Sequence, residues 1–232
     1  LRAMARKVMS DYDANGVAGT HDMRVLGAAQ WRELLAQAGV TSPPRRLLDV
    51  GAGEGNVTAT LTELLGPERE PGDVVTTELS GPMARRLRKR GWRCHEVDLA
   101  TAELPGDEAP FDLVGLLNVI DRTSRPLTLL ERLRPLTRGV LLLAVPLPVR
   151  PHVHMGPVTM APEERLPSPL GGRESFEAGA SALAELAFRP TGWHVAAFAR
   201  APYLCRGGAS QPVIALDDAV FVLRPAPPKL TV

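Results

Sequence analysis

Residues 47–55 read LLDVGAGEG and carry the strongest chemical signal in the chain. An apolar run ends in Asp49, and Gly51, Gly53 and Gly55 then let the backbone turn sharply and come close to a ligand. Helical spacing starts directly afterwards. In open α/β sheets, ligands bind beyond the carboxyl ends of strands, so this turn is a nucleotide-binding candidate. The spacing narrows the choice. A dinucleotide fingerprint, G-x-G-x-x-G, needs glycine at position 56, and that residue is Asn56.

Further polar residues close later apolar runs. Glu78 ends VVTTELS, where a carboxylate can accept both ribose hydroxyls of a nucleoside. Asp98 follows CHEVDL, in position for an adenine amino group or its waters; a solvated loop acid is the competing reading. Asn118 and Asp121 end LLNVIDR. G-x-G-x-G after an acidic residue resembles the first motif of class I S-adenosylmethionine (SAM) methyltransferases, against the plainer reading of a Gly-rich βα turn. On that resemblance the cofactor is SAM, and Asn118 and Asp121 stand where residues face the methyl donor. Asp49 then faces the amino-acid end of the cofactor, directly or through backbone contacts.

The elements that must position these residues alternate along the chain. Strand patterns lie over 47–50, 74–78, 92–97, 111–117, 140–145, 194–199 and 219–223, with helical spacing over 28–38, 57–65, 82–90, 127–136 and 175–188. The apolar runs are too continuous for a half-exposed sheet. They predict an α/β fold, a mostly parallel sheet with helices on both faces, which the resemblance to SAM methyltransferases implies is Rossmann-like and seven-stranded. Residues 1–25 read as an N-terminal segment, 26–225 as one domain and 226–232 as a frayed tail. Residues 146–172 are rich in Pro and Gly without clean periodicity, and read as an insertion over one end of the sheet.

Composition excludes several classes. The 232 residues carry 27 basic and 26 acidic side chains, so no general basic field holds nucleic acid. Cys94 and Cys205 are too few for a disulfide scaffold and lack metal-ligand spacing, and no metal is expected. The apolar runs are too short to span a bilayer. The chain opens at Leu1, and no sorting signal is read in it.

A more specific resemblance follows. LLDVGAGEGNVT, TELS, LLNVIDR with PLTLLERLRPL, APYLCRGG and LDDAVFVLRP are similar in order and spacing to the DREV (methyltransferase-like protein 9) family, from about Leu26 to Pro225. The last three segments are not general methyltransferase features. The resemblance implies SAM-dependent methylation of protein histidine at the pros ring nitrogen (Nδ1), in substrates with His-x-His motifs and a small middle residue. It also implies the endoplasmic reticulum or mitochondrion as compartment. The chain is expected to act as a monomer.

Neutral imidazole is already a competent nucleophile, so the chemistry needs an acceptor for the proton on the far nitrogen rather than a strong base. Asp121 is the candidate for that role; a helix cap or a partner of Arg122 or Arg125 is the alternative. Tyr203, in PYLC, resembles a family pocket residue and would wall or hydrogen-bond the imidazole, unless it is a plain core tyrosine. Where family members carry tyrosines before LDDAVFVL, this chain has Val213, Ile214 and Ala215. His152 and His154 form a His-Val-His, a poor zinc site and a weak self-methylation target. Cys205 reads as a packing residue. Two other functions compete: methylation of a small molecule or another side chain, and a catalytically silent binding module that keeps the fold.

Overall fold

The computed structural model describes residues 23–106, 110–151, 153–155, 158–206 and 213–227. Five strands run parallel: β1 (Leu47–Val50), β2 (Val74–Thr77), β3 (Arg93–His95), β4 (Phe111–Leu117) and β5 (Thr137–Pro146). A separate antiparallel hairpin pairs β6 (Val153–Met155) with β7 (Val158–Met160). Two long strands, β8 (Trp193–Arg206) and β9 (Val213–Pro225), complete the main sheet, with β9 antiparallel to both β5 and β8. The seven-stranded order is β3-β2-β1-β4-β5-β9-β8. The winding direction reverses between β1 and β4, which makes their carboxyl ends the switch point where such folds bind ligands.

Why the apolar runs are continuous is plain from β4 and β5. Leu113, Leu117, Val140, Leu142 and Ala144 pack on one face, against Trp31, Leu34 and Leu35 of helix α1 (Ala28–Gln37) and Leu61 of α2 (Asn56–Thr62). Their alternates Val114, Leu116, Leu141, Leu143 and Val145 pack on the other face. There they meet Leu129, Leu130 and Leu133 of helix α4 (Pro126–Leu136) and Leu183 of helix α5 (Phe176–Leu183). Both sides of the strand are core, so neither can be polar. Helix α3 (Gly81–Lys89) buries Ala84 and Leu87 against Ala52 and Cys94 beside the glycine turn.

The structure moves several boundaries. The strand patterns at 194–199 and 219–223 are the inner parts of β8 and β9, which extend to Arg206 and back to Val213. Tyr203 and residues 213–215 therefore stand on paired strands, with Tyr203 opposite Leu216. The expected helix at 175–188 is α-helical to Leu183 and continues as a π-turn over Ala184–Phe188. The domain starts before Leu26: Val25 is 6% exposed and sits in the core with Trp31.

The insertion is also less loose than its composition predicts. Leu147, Val149 and Leu166 join the core. Glu164 accepts from the backbone N–H of Leu127 and Thr128, both at 2.9 Å, and from the Thr128 hydroxyl. Helix α4 has Arg125 at its N-cap, which cannot satisfy those N–H groups, so a carboxylate from the insertion does. Residues 1–22, His152, the side chain of His154 and the tail beyond Pro227 lie outside the described residues. Ala226 does pair with Gly192, its N–H 2.8 Å from that carbonyl oxygen.

Candidate cofactor and reaction site

The turn after β1 uses three left-handed glycines, with φ of +68° at Gly51, +58° at Gly53 and +82° at Gly55. Two of them also lack room for a side chain. A Cβ on Gly51 would lie 2.6 Å from Val119 Cγ2, and one on Gly55 would overlap the Trp92 ring. Glu78, just past β2, ties the turn down: its carboxylate accepts from Gly53 N–H and Ser80 N–H, each at 2.8 Å. The Ala52 N–H donates to the Thr77 carbonyl at 3.0 Å. The glycine turn is thus clamped to the neighbouring strand from below.

Asp49 is 2% exposed and accepts a 2.5 Å hydrogen bond from the Thr58 hydroxyl. Burial pushes its pKa up to about 7, the Thr58 bond opposes this, and the nearby Glu78 charge adds to it. The carboxylate fits because Gly115 faces it on β4, where a Cβ would come within 2.9 Å of Asp49 Oδ1. Met23, Asp49, Gly51, Gly53, Asn56 and Leu117 line one cleft above this point. Met23 belongs to the segment that sequence patterning places outside the domain.

Asp98, by contrast, uses one carboxylate oxygen locally. It accepts from Ala100 N–H at 2.9 Å, and its carbonyl accepts from Ala102 N–H at 2.8 Å, which closes a turn after β3.

A second group gathers at the end of β4. Asn118 has φ +56°, a left-handed conformation unusual for a residue with a side chain, and is 1% exposed. Its N–H donates to the Ala144 carbonyl at 2.9 Å, and its carbonyl accepts from Arg122 Nε at 2.9 Å. Its carboxamide Nδ2 donates to Asp218 Oδ2 at 2.8 Å and to Tyr203 Oη at 2.7 Å, with Met23 Sδ a weaker acceptor at 3.3 Å. Asp121 is buried and pairs with Arg122, whose Nε lies 3.8 Å from Asp121 Oδ1. So the alternative reading of Asp121, as a partner of Arg122, describes a contact that exists, and it leaves the second reading open.

Asp218 is the residue that sequence reasoning missed. It is fully buried on β9, and burial raises its pKa to about 7 against the Asn118 hydrogen bond, with Asp121 raising it further and Arg122 lowering it. Burial, with the Asp218 charge beside it, also pushes the Tyr203 phenol well above its ordinary range. A signal was present in LDDAVFVL: on a strand, adjacent acids point to opposite faces, so one of the pair must face inward. Asp217 faces outward and forms a bidentate pair with Arg200, at 2.9 Å and 2.6 Å.

Among the described residues no cluster of His, Cys, Asp or Glu could hold a metal, and no helix is long and apolar enough to cross a membrane.

Comparison with known proteins gives the same architecture. The family model of DREV methyltransferases matches residues 1–225. The ubiquinone/menaquinone biosynthesis C-methyltransferase UbiE of Idiomarina loihiensis is 31% identical over 107 residues, which are 42% of this chain and 41% of that protein. The match thus spans less than half the length of that curated relative. Among crystal structures, the 1,6-didemethyltoxoflavin-N1-methyltransferase of Burkholderia thailandensis, solved with S-adenosylhomocysteine, superposes with a TM-score of 0.53 at 18% identity. That comparison covers 97% of this chain and 88% of that one. The (4+2)-cyclase SpnF superposes with a TM-score of 0.54 at 17% identity, over 92% and 91% of the two chains. Identities this low speak to the fold alone, a seven-stranded class I methyltransferase fold, and the cyclase shows that the fold does not dictate the reaction.

Proposed function

Since this chain belongs to the DREV methyltransferase family, we propose that it binds SAM and methylates the pros nitrogen of histidine in proteins with His-x-His motifs. The glycine turn is a fit for the cofactor, because Gly51 and Gly53 line a cleft together with Asp49 and Asn56. Asp49, Gly51, Gly53, Gly55, Glu78, Asp98 and Asn118 would hold it. Bound there, SAM supplies an electrophilic methyl group. Glu78 retains the acceptor geometry for ribose, since a carboxylate takes several hydrogen bonds and two come from Gly53 and Ser80.

The observation that carries the reading is the polar cluster of buried Asn118, Asp121 and Asp218 with half-buried Tyr203, gathered around the carboxyl end of β4. Asp121 accepts the hydrogen of the far imidazole nitrogen, which fixes the tautomer and aims the pros nitrogen at the methyl group. As the ring gains positive charge, the carboxylate stabilises it. Tyr203 accepts from Asn118 and so keeps its own hydroxyl hydrogen to donate to the substrate. Most of the rate comes from orientation and exclusion of water, and no covalent intermediate is needed.

A second reading is methylation of a small molecule: Val213, Ile214 and Ala215 stand where animal members of the family carry tyrosines, one of which would be expected to touch a peptide substrate. Incubation with labelled SAM separates the two. A His-Ala-His peptide should acquire label, and fragmentation should place the methyl group on a ring nitrogen. Label that enters a metabolite extract and leaves the peptide blank would overturn the histidine assignment.

A further inference from the structure

Asn118 is fixed at nearly every polar atom. Its backbone N–H, its carbonyl and its side-chain Nδ2 are all engaged, by Ala144, Arg122, Asp218 and Tyr203. The exception is Asn118 Oδ1, which is buried and has no hydrogen-bond partner among the described residues. A free carboxamide could rotate to give that oxygen a donor. It does not, because Nδ2 faces acceptors: Asp218 Oδ2, Tyr203 Oη and, more weakly, Met23 Sδ. A tyrosine hydroxyl could equally donate to the amide oxygen, whereas the Asp218 oxygen accepts, so Asp218 decides which end of the amide points towards it.

Asp218 itself is fully buried, and its own Oδ1 also lacks a partner among the described residues. It reaches Asn118 from a strand 100 residues further along the chain. A carboxylate kept in the interior with one oxygen unsatisfied among the described residues is costly to stability. The contact that it does make sets an orientation.

We infer that Asp218 is a positioning residue of the reaction site: it turns the Asn118 carboxamide so that Oδ1 is held out as an acceptor for an N–H group of the substrate, and it holds Tyr203 on the same amide. The inference extends the methyltransferase reading above by adding a residue that touches neither cofactor nor reacting atoms. It fits the left-handed backbone at Asn118, whose side chain reaches both Tyr203 on β8 and Asp218 on β9. It also separates the two adjacent acids of LDDAVFVL by role, Asp217 binding Arg200 at the surface and Asp218 serving the site.

The test uses the full chain with Asp218→Ala and Asp218→Asn. Asparagine labelled with ¹⁵N gives only three side-chain amide pairs, from Asn15, Asn56 and Asn118, so the Asn118 pair is readily assigned. In the wild type its protons should exchange slowly with solvent. In Asp218→Ala they should exchange fast, SAM affinity by calorimetry should stay within about threefold, and kcat for the His-Ala-His peptide should fall by roughly tenfold or more. Asp218→Asn keeps an acceptor oxygen and should recover most of both signals. Fast exchange of the Asn118 amide in the wild type overturns the inference. So does unchanged kcat in Asp218→Ala, or a loss of activity in Asp218→Asn with the Asn118 amide still protected. If Asp218→Ala does not fold, the wild-type amide and Asp218→Asn decide alone. A wild type that leaves the peptide unmethylated would refute the histidine substrate, while the exchange measurements would still judge the role of Asp218.

Discussion

Glu78 holds two backbone N–H groups of the glycine turn and its neighbour, so removing its carboxylate should loosen the turn that binds the cofactor while leaving the strands in place. Glu78→Ala should weaken SAM binding by roughly ten- to a hundredfold, the range expected for lost hydrogen bonds to a charged acceptor. Calorimetry checks it, and a wild-type Kd would remove Glu78 from the ribose role. Gly53→Arg should abolish binding altogether, because φ of +58° strains any side chain there and arginine would enter the cleft. Retained affinity in that variant would mean that the turn is not the cofactor site. Asp121→Asn poses a different question. It should keep SAM affinity and lose most methyl transfer, since an amide can accept a hydrogen bond yet lacks the charge that stabilises an imidazolium. The wild-type rate should also drop as pH falls through about 6.5, where the substrate imidazole takes a proton and loses its attacking lone pair. Near-normal turnover in Asp121→Asn would reduce Asp121 to a partner of Arg122.

At the scale of elements, helix α4 depends on a residue remote in sequence. Its N-terminal N–H groups at Leu127 and Thr128 end on Glu164, from the Pro- and Gly-rich insertion. Burial works to raise the Glu164 pKa, but the Thr128 hydroxyl and the two N–H bonds outweigh it and hold the carboxyl below its ordinary value. Glu164→Ala should therefore lower stability by about 1 kcal/mol, the usual worth of a helix cap, without changing the helix register. Thermal unfolding measures it; an unchanged Tm would show that the insertion only drapes over the sheet. The same packing explains why the insertion looks structureless in sequence. Its anchoring residues, Leu147, Val149, Glu164 and Leu166, have no common period, since each answers to a different neighbour in the core.

For the molecule as a whole, two buried carboxyls set part of the pH dependence. Asp49 and Asp218 each have a pKa raised by burial to about 7, above the unfolded value. Between the unfolded and folded values, the native state binds more protons than the unfolded one. Their stabilising contribution is therefore complete below about pH 4 and is lost as pH rises towards about 7. Asp49→Asn should remove one share, flattening the fall in unfolding free energy across that window by up to about 1.4 kcal/mol per pH unit. Denaturant titrations at several pH values read the slope directly. A variant that retains the full wild-type slope would mean that Asp49 is already ionised in the native protein.

What the amino-acid sequence determined by itself is the local chemistry and the faces of the central strands. Leu47–Val50 and Phe111–Leu117 coincide with β1 and β4 to the residue, because strands buried on both sides read as apolar runs, here broken only by Asp49 and Asp112. The glycine turn was legible for a similar reason: left-handed backbone between a strand and a helix leaves a mark in residue type. The tertiary structure decided the rest. β8 and β9 run well past their apolar stretches, since their outer halves pair chiefly with each other and need no second buried face. Which of Asp217 and Asp218 turns inward depends on the strand register. That Asp218 meets Asn118 across 100 residues follows from the sheet order, which places β9 beside β5 and so one strand away from β4. Spacing in sequence records contacts within a turn or a strand; it does not record contacts made by closing a sheet.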